Sequence, residues 1–376
     1  MKRKQWPFLK QGNKLQIIAP ASKTDHPSND ILAVQKLVTS WGLIPVISPL
    51  FYGDDPDFAN TQELQLQDIS NALNDDGIAG IWCIRGGYGS MRLLDGLEKQ
   101  KPPTKVKVFI GFSDITSLHV YLNQQWGWQT LHAPTALQTA EGRIAVEDTE
   151  ILRAILFGEI QSTLINDLMP FNKQATEAKT IRSIIIGGNL TRVTRTLGTS
   201  YPADWTGKIL LLEEEYQADG PRKVDGALVH LQRAGLFTTG KKPAAIVLGN
   251  ISCSEDQEAA ISRSLKRFAD AADAANCPIV RCLNIGHGAQ NHPVPLSTEA
   301  TLILGEKPTL QIVTTKDIVL KQTGQLETAP TSASLHPGTS QLMTLGYAQQ
   351  TTANAGQKIM PLTSSKRVFS VKKSKL

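Results

Sequence analysis

The sequence predicts an α/β fold with two domains and a flexible C-terminal tail. Its 376 residues fit about two domains of roughly 150 residues each. Short apolar runs alternate with helical segments through both halves, which is typical of a mostly parallel sheet covered by helices. With 41% hydrophobic and 19% charged residues, the composition is that of a globular chain with a core.

The first domain is predicted for residues 1–157. Leu15–Ser22 is an apolar run that predicts a strand, and Asp30–Gly42 has helical periodicity and ends at a glycine. The segments GIAGIWC and VKVFIG predict further strands, and a helix-like segment follows each. Asp148–Phe157 predicts the last helix of this domain. This alternation predicts a mostly parallel sheet.

The second domain is predicted for residues 181–315, after a linker at 158–180 that lacks clear periodicity. It is expected to be a β-rich α/β domain. Its apolar segments KILLL, AAIVL and PIVRC alternate with two helical stretches, and EATLILGEKPTLQIV predicts a hairpin. Residues 316–376 are polar and poor in periodicity, so they predict a flexible extension.

Charge and cysteine usage narrow the classes of partner. The net charge of +5 comes from the extension, so the folded body is close to neutral, which argues against a nucleic-acid enzyme. The N-terminus lacks the apolar stretch of a signal peptide, and no run reaches the ~18 apolar residues of a membrane helix. We therefore expect a cytoplasmic protein without nucleic-acid or membrane partners. Its four cysteines lack CxxC spacing, which favours reduced, mostly buried thiols over a zinc or redox site: Cys83, Cys253, Cys277 and Cys282.

Ser113 is the first candidate for chemistry. The strand that ends at Gly111-Phe112 is followed by this serine and at once by a helix, as in a nucleophile elbow. Backbone N–H groups at such a turn can stabilise an oxyanion. From this segment alone a helix N-cap is the favoured interpretation, since a serine before Asp-Ile-Thr is typical of one, and the second glycine of G-x-S-x-G is absent.

A glycine-rich turn follows an earlier strand, in the segment Ile84–Ser90. Its glycines allow backbone N–H groups to point into a cleft, for an oxyanion or for a phosphate. No Lys-Ser/Thr pair follows, which excludes a P-loop. Arg85 at its entrance has the charge to pair with a substrate carboxylate, although a surface arginine or a structural ion pair is an equal alternative.

An acidic strand end and a glycine-flanked histidine complete the set. The apolar run before Glu213 places a carboxylate at a sheet edge, unless the three acids form a solvated turn. Strand alternation puts Glu213 and Glu215 on one face, so it does not separate them. His287 lies between two glycines. His287 and His292 lack an acidic partner spaced to complete a metal site, so we expect no metal and no cofactor.

Together these residues are the inventory for acyl transfer by a serine, a base and an acid that orients the base. The segments that contain them resemble the LD-carboxypeptidase family of serine peptidases, which includes the microcin-immunity peptidases. The resemblance runs from about Leu15 to about Val313. Its motifs are IIAPAS, RGGYGSMRLL, IGFSDITSLH, HAPTA, GGNLTRVTRTLGT, ILLLEEE and IGHG.

The resemblance implies roles for individual residues. Ser113 would be the nucleophile, Glu213 the acid and His287 the base, with the Gly87 and Asp114 N–H groups as oxyanion donors. It also implies a small peptide substrate, release of D-Ala from murein tetrapeptide in peptidoglycan recycling, and a homodimer. The family usually has Glu-Asp after the strand, whereas this chain has three glutamates. There are two alternatives to D-Ala release from murein tetrapeptide. One is cleavage of a peptide–nucleotide antibiotic, and the other is peptide binding without catalysis.

Overall fold

The computed structural model describes residues 3–216 and 219–314, so the predicted extension at 316–376 lies outside the described residues. The strands are β1 (Lys14–Ile18), β2 (Ile44–Ile47), β3 (Ile78–Cys83), β4 (Val108–Gly111), β5 (Thr130–His132), β6 (Ser162–Ile165), β7 (Met169–Pro170), β8 (Thr180–Asn189), β9 (Ile209–Glu215), β10 (Ala245–Ser252), β11 (Ile279–Arg281), β12 (Val294–Leu296), β13 (Thr298–Ile303) and β14 (Thr309–Val313).

The helices lie between these strands, as the alternation in the sequence predicts. They are α1 (Pro27–Ser40), α2 (Gln62–Asn74), α3 (Leu94–Leu97), α4 (Thr116–Tyr121), α5 (Ala136–Ala140), α6 (Val146–Phe157), α7 (Lys173–Thr176), α8 (Leu190–Arg195), α9 (Gly220–Arg233) and α10 (Glu258–Ala274). Short 3-10 turns precede α3, α4 and α10. None of the helices in these described ranges is long and apolar enough to span a membrane.

The first sheet has six strands in the order β12-β5-β4-β3-β1-β2. All neighbours from β5 to β2 are parallel, which confirms the predicted mostly parallel sheet. Its central strands are almost wholly buried, because helices cover both faces of such a sheet. The outer strand β12 pairs antiparallel with β5 and comes from the C-terminal half of the chain.

The second sheet has eight strands in the order β6-β14-β13-β8-β9-β10-β11-β7. Strands β8 to β11 are parallel, and antiparallel strands flank them on both sides. The predicted hairpin is the pair β13–β14. This sheet confirms the β-rich α/β character predicted for the second half.

The stretch 158–180, for which the sequence indicates only a linker, carries secondary structure. Its strands β6 and β7 pair with β14 and β11 at the two edges of the second sheet. Edge strands this short have too few residues to show an alternating pattern in the sequence. The domain boundaries themselves stay a prediction.

A close approach between β8 and α4 brings the ends of the two sheets together. Gly188 has φ +131°, and a Cβ there would lie 2.5 Å from the Thr116 hydroxyl. The Asn189 N–H donates to the same hydroxyl at 3.0 Å. Only glycine fits this contact, and it places the carboxyl end of β8 next to the helix that follows Ser113.

Candidate active site

Ser113 lies at the turn between β4 and α4, in the left-handed region with φ +61°. A non-glycine residue in this region costs about 1–3 kcal/mol and is held there by its surroundings. Its hydroxyl is hydrogen-bonded to His287 Nε2 at 2.9 Å and does not cap the helix. The structure therefore favours the elbow over the N-cap interpretation of this serine.

The glycine-rich turn lies directly against this elbow. A Cβ on Gly86 would lie 3.1 Å from the Ser113 Cβ, and one on Gly87 would lie 2.5 Å from the Ser22 hydroxyl. Gly87 has φ +101°, and its N–H makes no hydrogen bond within residues 3–216 and 219–314. Glycine is required here both by the conformation and by the close packing.

Asp114 connects the elbow to the glycine-rich turn. Its buried carboxylate accepts the Ser90 N–H at 2.8 Å and pairs with Arg192 Nε at 3.1 Å. Its N–H lies in the first turn after the elbow, where backbone donors have no partner within the helix. The N–H groups of Gly87 and Asp114 thus remain the two candidate oxyanion donors beside Ser113.

Glu213 and His287 continue the hydrogen-bonded chain from Ser113. Glu213 is fully buried near the end of β9, and its Oε2 is 2.7 Å from His287 Nδ1. His287 lies in the turn between β11 and β12. A Cβ on Gly286, which has φ +119°, would lie 2.9 Å from Glu213 Oε2, so a larger residue would push the histidine off the acid.

The neighbouring glutamates have other surroundings. Glu214 points to the opposite side of β9 and accepts the Asn189 side-chain amide at 2.8 Å and the Thr191 N–H at 3.0 Å. Glu215 is exposed at the cleft rim. Of the three acids, Glu213 alone is hydrogen-bonded to His287 among the described contacts, which separates it from Glu215 where strand alternation does not.

Burial and charge shift the pKa values of this pair. Burial raises the pKa of the Glu213 carboxyl, against the opposing effect of His287. Burial lowers the pKa of His287, but the charge and hydrogen bond of Glu213, together with the charges of Glu215 and Glu214, raise it by more, so the net shift is upward. The imidazolium form of His287 is therefore stabilised, as expected for a histidine that has to accept a proton.

An open cleft of about 800 Å³ leads to Ser113 and His287. Arg85 lines it and donates to the Lys23 carbonyl at 2.9 Å, and its guanidinium makes no ion pair with any residue the structure describes. Arg143 lines the same cleft but is paired with Glu141 at 2.5 Å. The other lining residues are Asp25, His26, Asp30, Gly86, Gly87, Phe112, Thr135, Leu137, Gln138, Glu141 and Glu215.

Sequence reasoning left several of these supporting residues without a role. Asn189 and Arg192 lie in the segment GGNLTRV, yet nothing local in that segment shows that they contact Glu214 and Asp114. The cysteines behave as expected, since Cys83, Cys277 and Cys282 are buried free thiols and Cys253 is partly exposed. No group of three or more metal-binding side chains is found in the described part of the chain.

Comparisons with known proteins place both halves of the chain in one family. Residues 15–133 match the model of the LD-carboxypeptidase N-terminal domain, and residues 182–302 match that of the C-terminal domain. A Rickettsia conorii protein named as a carboxypeptidase is 32% identical over 77% of this chain and 87% of its own length. A probable murein peptide carboxypeptidase of Bacillus subtilis is 29% identical over 80% of this chain and 91% of its own length.

Solved structures with the same fold include two kinds of protein. Muramoyltetrapeptide carboxypeptidase from Oxalobacter formigenes matches with a TM-score of 0.64 and 21% identity over 80% of this chain and 98% of its own. The microcin C7 self-immunity protein MccF, in complex with aspartyl sulfamoyl adenosine, matches with a TM-score of 0.69 and 18% identity. This match covers 82% of this chain and 98% of the MccF chain. At these identities the likeness concerns the fold alone.

Proposed function

This chain belongs to the LD-carboxypeptidase family of peptidases, and we propose that it is a serine carboxypeptidase that releases a C-terminal D-amino acid, D-Ala, from murein tetrapeptide in cell-wall recycling. The observation that carries the proposal is the hydrogen-bonded chain from Ser113 through His287 to the buried Glu213, at the floor of an open cleft. Such a chain is the arrangement by which a serine hydroxyl becomes a nucleophile.

The geometry gives each group a step. His287 Nε2 takes the Ser113 proton as Oγ attacks the carbonyl carbon of the scissile L,D bond, and Glu213 stabilises the imidazolium. The N–H groups of Gly87 and Asp114 donate to the oxyanion of the tetrahedral intermediate. When the C–N bond breaks, His287 returns the proton to the leaving amine. Water then attacks the acyl-enzyme with the same base and frees the shortened peptide.

Arg85 is proposed to bind the C-terminal carboxylate of the substrate. It lies beside Gly86 in the turn that contacts Ser113, and its hydrogen bond to the Lys23 carbonyl fixes one nitrogen while leaving other donors of the guanidinium for a ligand. A cation at this place favours a free C-terminus over an internal peptide bond. This makes the enzyme an exopeptidase.

Substrate stereochemistry tests this assignment. We expect mass spectrometry to detect D-Ala release from a tetrapeptide that ends in D-Ala, no cleavage of its L-Ala epimer, and poor cleavage of the C-terminal amide. Arg85→Ala is expected to raise KM for the acid and to lose the preference over the amide, since the carboxylate no longer has its cation. Arg143→Ala, in the same cleft but paired with Glu141, is the matched control.

Two outcomes would contradict these roles. Equal turnover of the D- and L-terminal peptides would leave a serine peptidase without L,D specificity. Wild-type kinetics and an unchanged preference over the amide in Arg85→Ala would remove Arg85 from carboxylate binding.

The pH profile tests the role of His287. A general base must be neutral to accept a proton, so kcat/KM is expected to fall as pH decreases through the pKa of His287. Because Glu213 and its hydrogen bond raise that pKa above the ordinary value, the acid limb should lie at higher pH than for an isolated histidine. An acid limb at or below the ordinary histidine range, measured by initial rates, would contradict the assigned coupling.

Cleavage of a microcin-type peptide–nucleotide is the second candidate, because the fold matches MccF as well as it matches the muramoyltetrapeptide enzyme. Among the cleft-lining residues that the structure describes, Phe112 carries the only phenyl or indole ring, and it is 2% exposed. A buried ring offers no face on which a base could stack, which favours the murein peptide. Release of the amino acid from aspartyl sulfamoyl adenosine, faster than D-Ala from the tetrapeptide, would reverse this order.

A cytoplasmic location, expected from the sequence, and a homodimer, expected from the family resemblance, are also part of this proposal. Peptide binding without catalysis, the remaining alternative, predicts that a fluorophosphonate does not label Ser113 and that no peptide is turned over.

A further inference from the structure

A buried carboxylate that the proposed reaction does not use lies beneath the loop that carries His287. We call residues 284–292 the His287 loop. Asp148, in the first turn of α6, is fully buried. Its Oδ2 accepts the Asn291 N–H at 2.8 Å, and its Oδ1 is hydrogen-bonded to His292 Nδ1. Both oxygens of one carboxylate therefore hold the C-terminal end of this loop.

Asn291 carries the contact from Asp148 towards His287. Its side chain is fully buried, and its Oδ1 accepts the Gly286 N–H at 3.0 Å. Gly286 directly precedes His287 and approaches the Glu213 carboxylate so closely that a Cβ would lie 2.9 Å from Oε2. A shift of Asn291 would therefore move the peptide that sets the distance between His287 and its acid.

His292 adds a second attachment. Its Nε2 is 3.7 Å from Asp167 Oδ2, and the same carboxylate accepts the side-chain amide of Asn284, the first residue of the loop. Burial lowers the pKa of His292, but Asp148 and then Asp167 raise it by more, which favours an imidazolium beside the two carboxylates. The His287 loop is thus bound at both ends to carboxylates of the chain segment around α6 and β6.

We propose that Asp148, acting through Asn291 and His292, is a positioning residue that holds His287 within hydrogen-bonding distance of both Ser113 and Glu213. The reason is geometric. His287 must keep 2.9 Å to Ser113 and 2.7 Å to Glu213 at the same time, although it lies in a turn with a glycine on each side. A misplacement of 1 Å in a reacting group costs about 10²-fold in rate. The proposal rests on the proposed function, in which His287 is the base.

Asp148→Asn is the first test. The amide keeps an oxygen for the Asn291 N–H but turns an NH₂ group towards His292, so the charged attachment to the imidazolium is lost. We expect kcat to fall by about 10²-fold with KM little changed. The rate at which a fluorophosphonate labels Ser113 should fall in parallel. Asp68→Asn is the matched control, since Asp68 is a buried carboxylate of α2 bound by Gln16 at 3.3 Å, and it should lower Tm but keep kcat.

Asn291→Ala is the second variant, and it decides the question if Asp148→Asn does not fold. It removes the acceptor of the Gly286 N–H and should reproduce the kcat loss. The double variant is expected to lose no more than the larger single loss, because both residues act through one loop. Wild-type kcat and labelling rate in both single variants, or a fully multiplicative double variant, would overturn the proposal.

A spectroscopic readout separates this inference from the proposed substrate. The proton between His287 Nδ1 and Glu213 is expected to give a downfield ¹H resonance that shifts or broadens in Asp148→Asn and Asn291→Ala but not in Asp68→Asn. This measurement needs no peptide. A wild-type protein that labels with fluorophosphonate yet cleaves no tetrapeptide would refute the substrate alone, while an unchanged resonance in both loop variants would refute the positioning role alone.

Discussion

Ser113→Ala is expected to lower kcat for D-Ala release by about 10³-fold or more while the fold stays intact. The substitution removes the only oxygen that attacks the carbonyl carbon. It leaves the left-handed backbone of the elbow as it is, because alanine differs from serine only by the hydroxyl. The measurement is D-Ala release by mass spectrometry together with Tm.

His287→Ala is expected to give a loss of the same order, since it removes the group that takes the serine proton. The double variant should be no worse than either single one, because nucleophile and base act as a unit. Ser117→Ala is the matched control: this buried serine of α4 lies one turn further on, and its hydroxyl has no hydrogen-bond partner in the described residues. A near wild-type kcat in Ser113→Ala would refute serine catalysis.

Glu213→Gln is expected to cost less than loss of the serine or histidine, yet still about 10²-fold or more in kcat. The amide is nearly the same size, but it can turn an NH₂ group towards His287 Nδ1. The imidazole then carries its proton on Nε2 and cannot accept the one from Ser113. Because the carboxylate no longer raises the pKa of His287, the acid limb of kcat/KM should also move to lower pH.

The two neighbouring glutamates are the controls for this result. Glu215→Gln should keep a kcat close to wild type, since Glu215 is exposed at the cleft rim and is not hydrogen-bonded to His287. Glu214→Gln should lower Tm, because it disturbs the buried contacts to Asn189 and Thr191. If Glu215→Gln were inactive and Glu213→Gln active, the assignment of the acid would be wrong.

Local sequence was enough to predict those features that depend on neighbouring residues. A serine between an apolar strand and a helix predicts the elbow, and glycines after a strand predict a turn that comes close to it. The same holds for the alternation that predicts parallel sheets. In each case the backbone conformation and the burial pattern depend on a few neighbouring residues, so one short segment is enough to predict the feature.

The order of strands across the sheets depends on contacts that no segment contains. Strand β12 pairs with β5 although Val294 lies 162 positions after its partner residue, His132 (294 − 132 = 162). Likewise, the residues of 158–180 complete both edges of the second sheet. Strands of this length are specified by the edges they meet and not by their own periodicity.

The sequence alone predicts which chemical groups are available: a serine, an acid at a strand end, a glycine-flanked histidine and a glycine-rich turn. The folded chain is needed to show that Glu213, and not Glu215, is hydrogen-bonded to His287, and that Asp148 contacts the His287 loop at Asn291. Strand alternation leaves both glutamates on one face, and a hydrogen bond across 143 residues has no periodicity to reveal it. Such contacts form only when the chain folds and these groups are buried away from water. A buried carboxylate is energetically costly unless it accepts hydrogen bonds, so it is found with donors such as these.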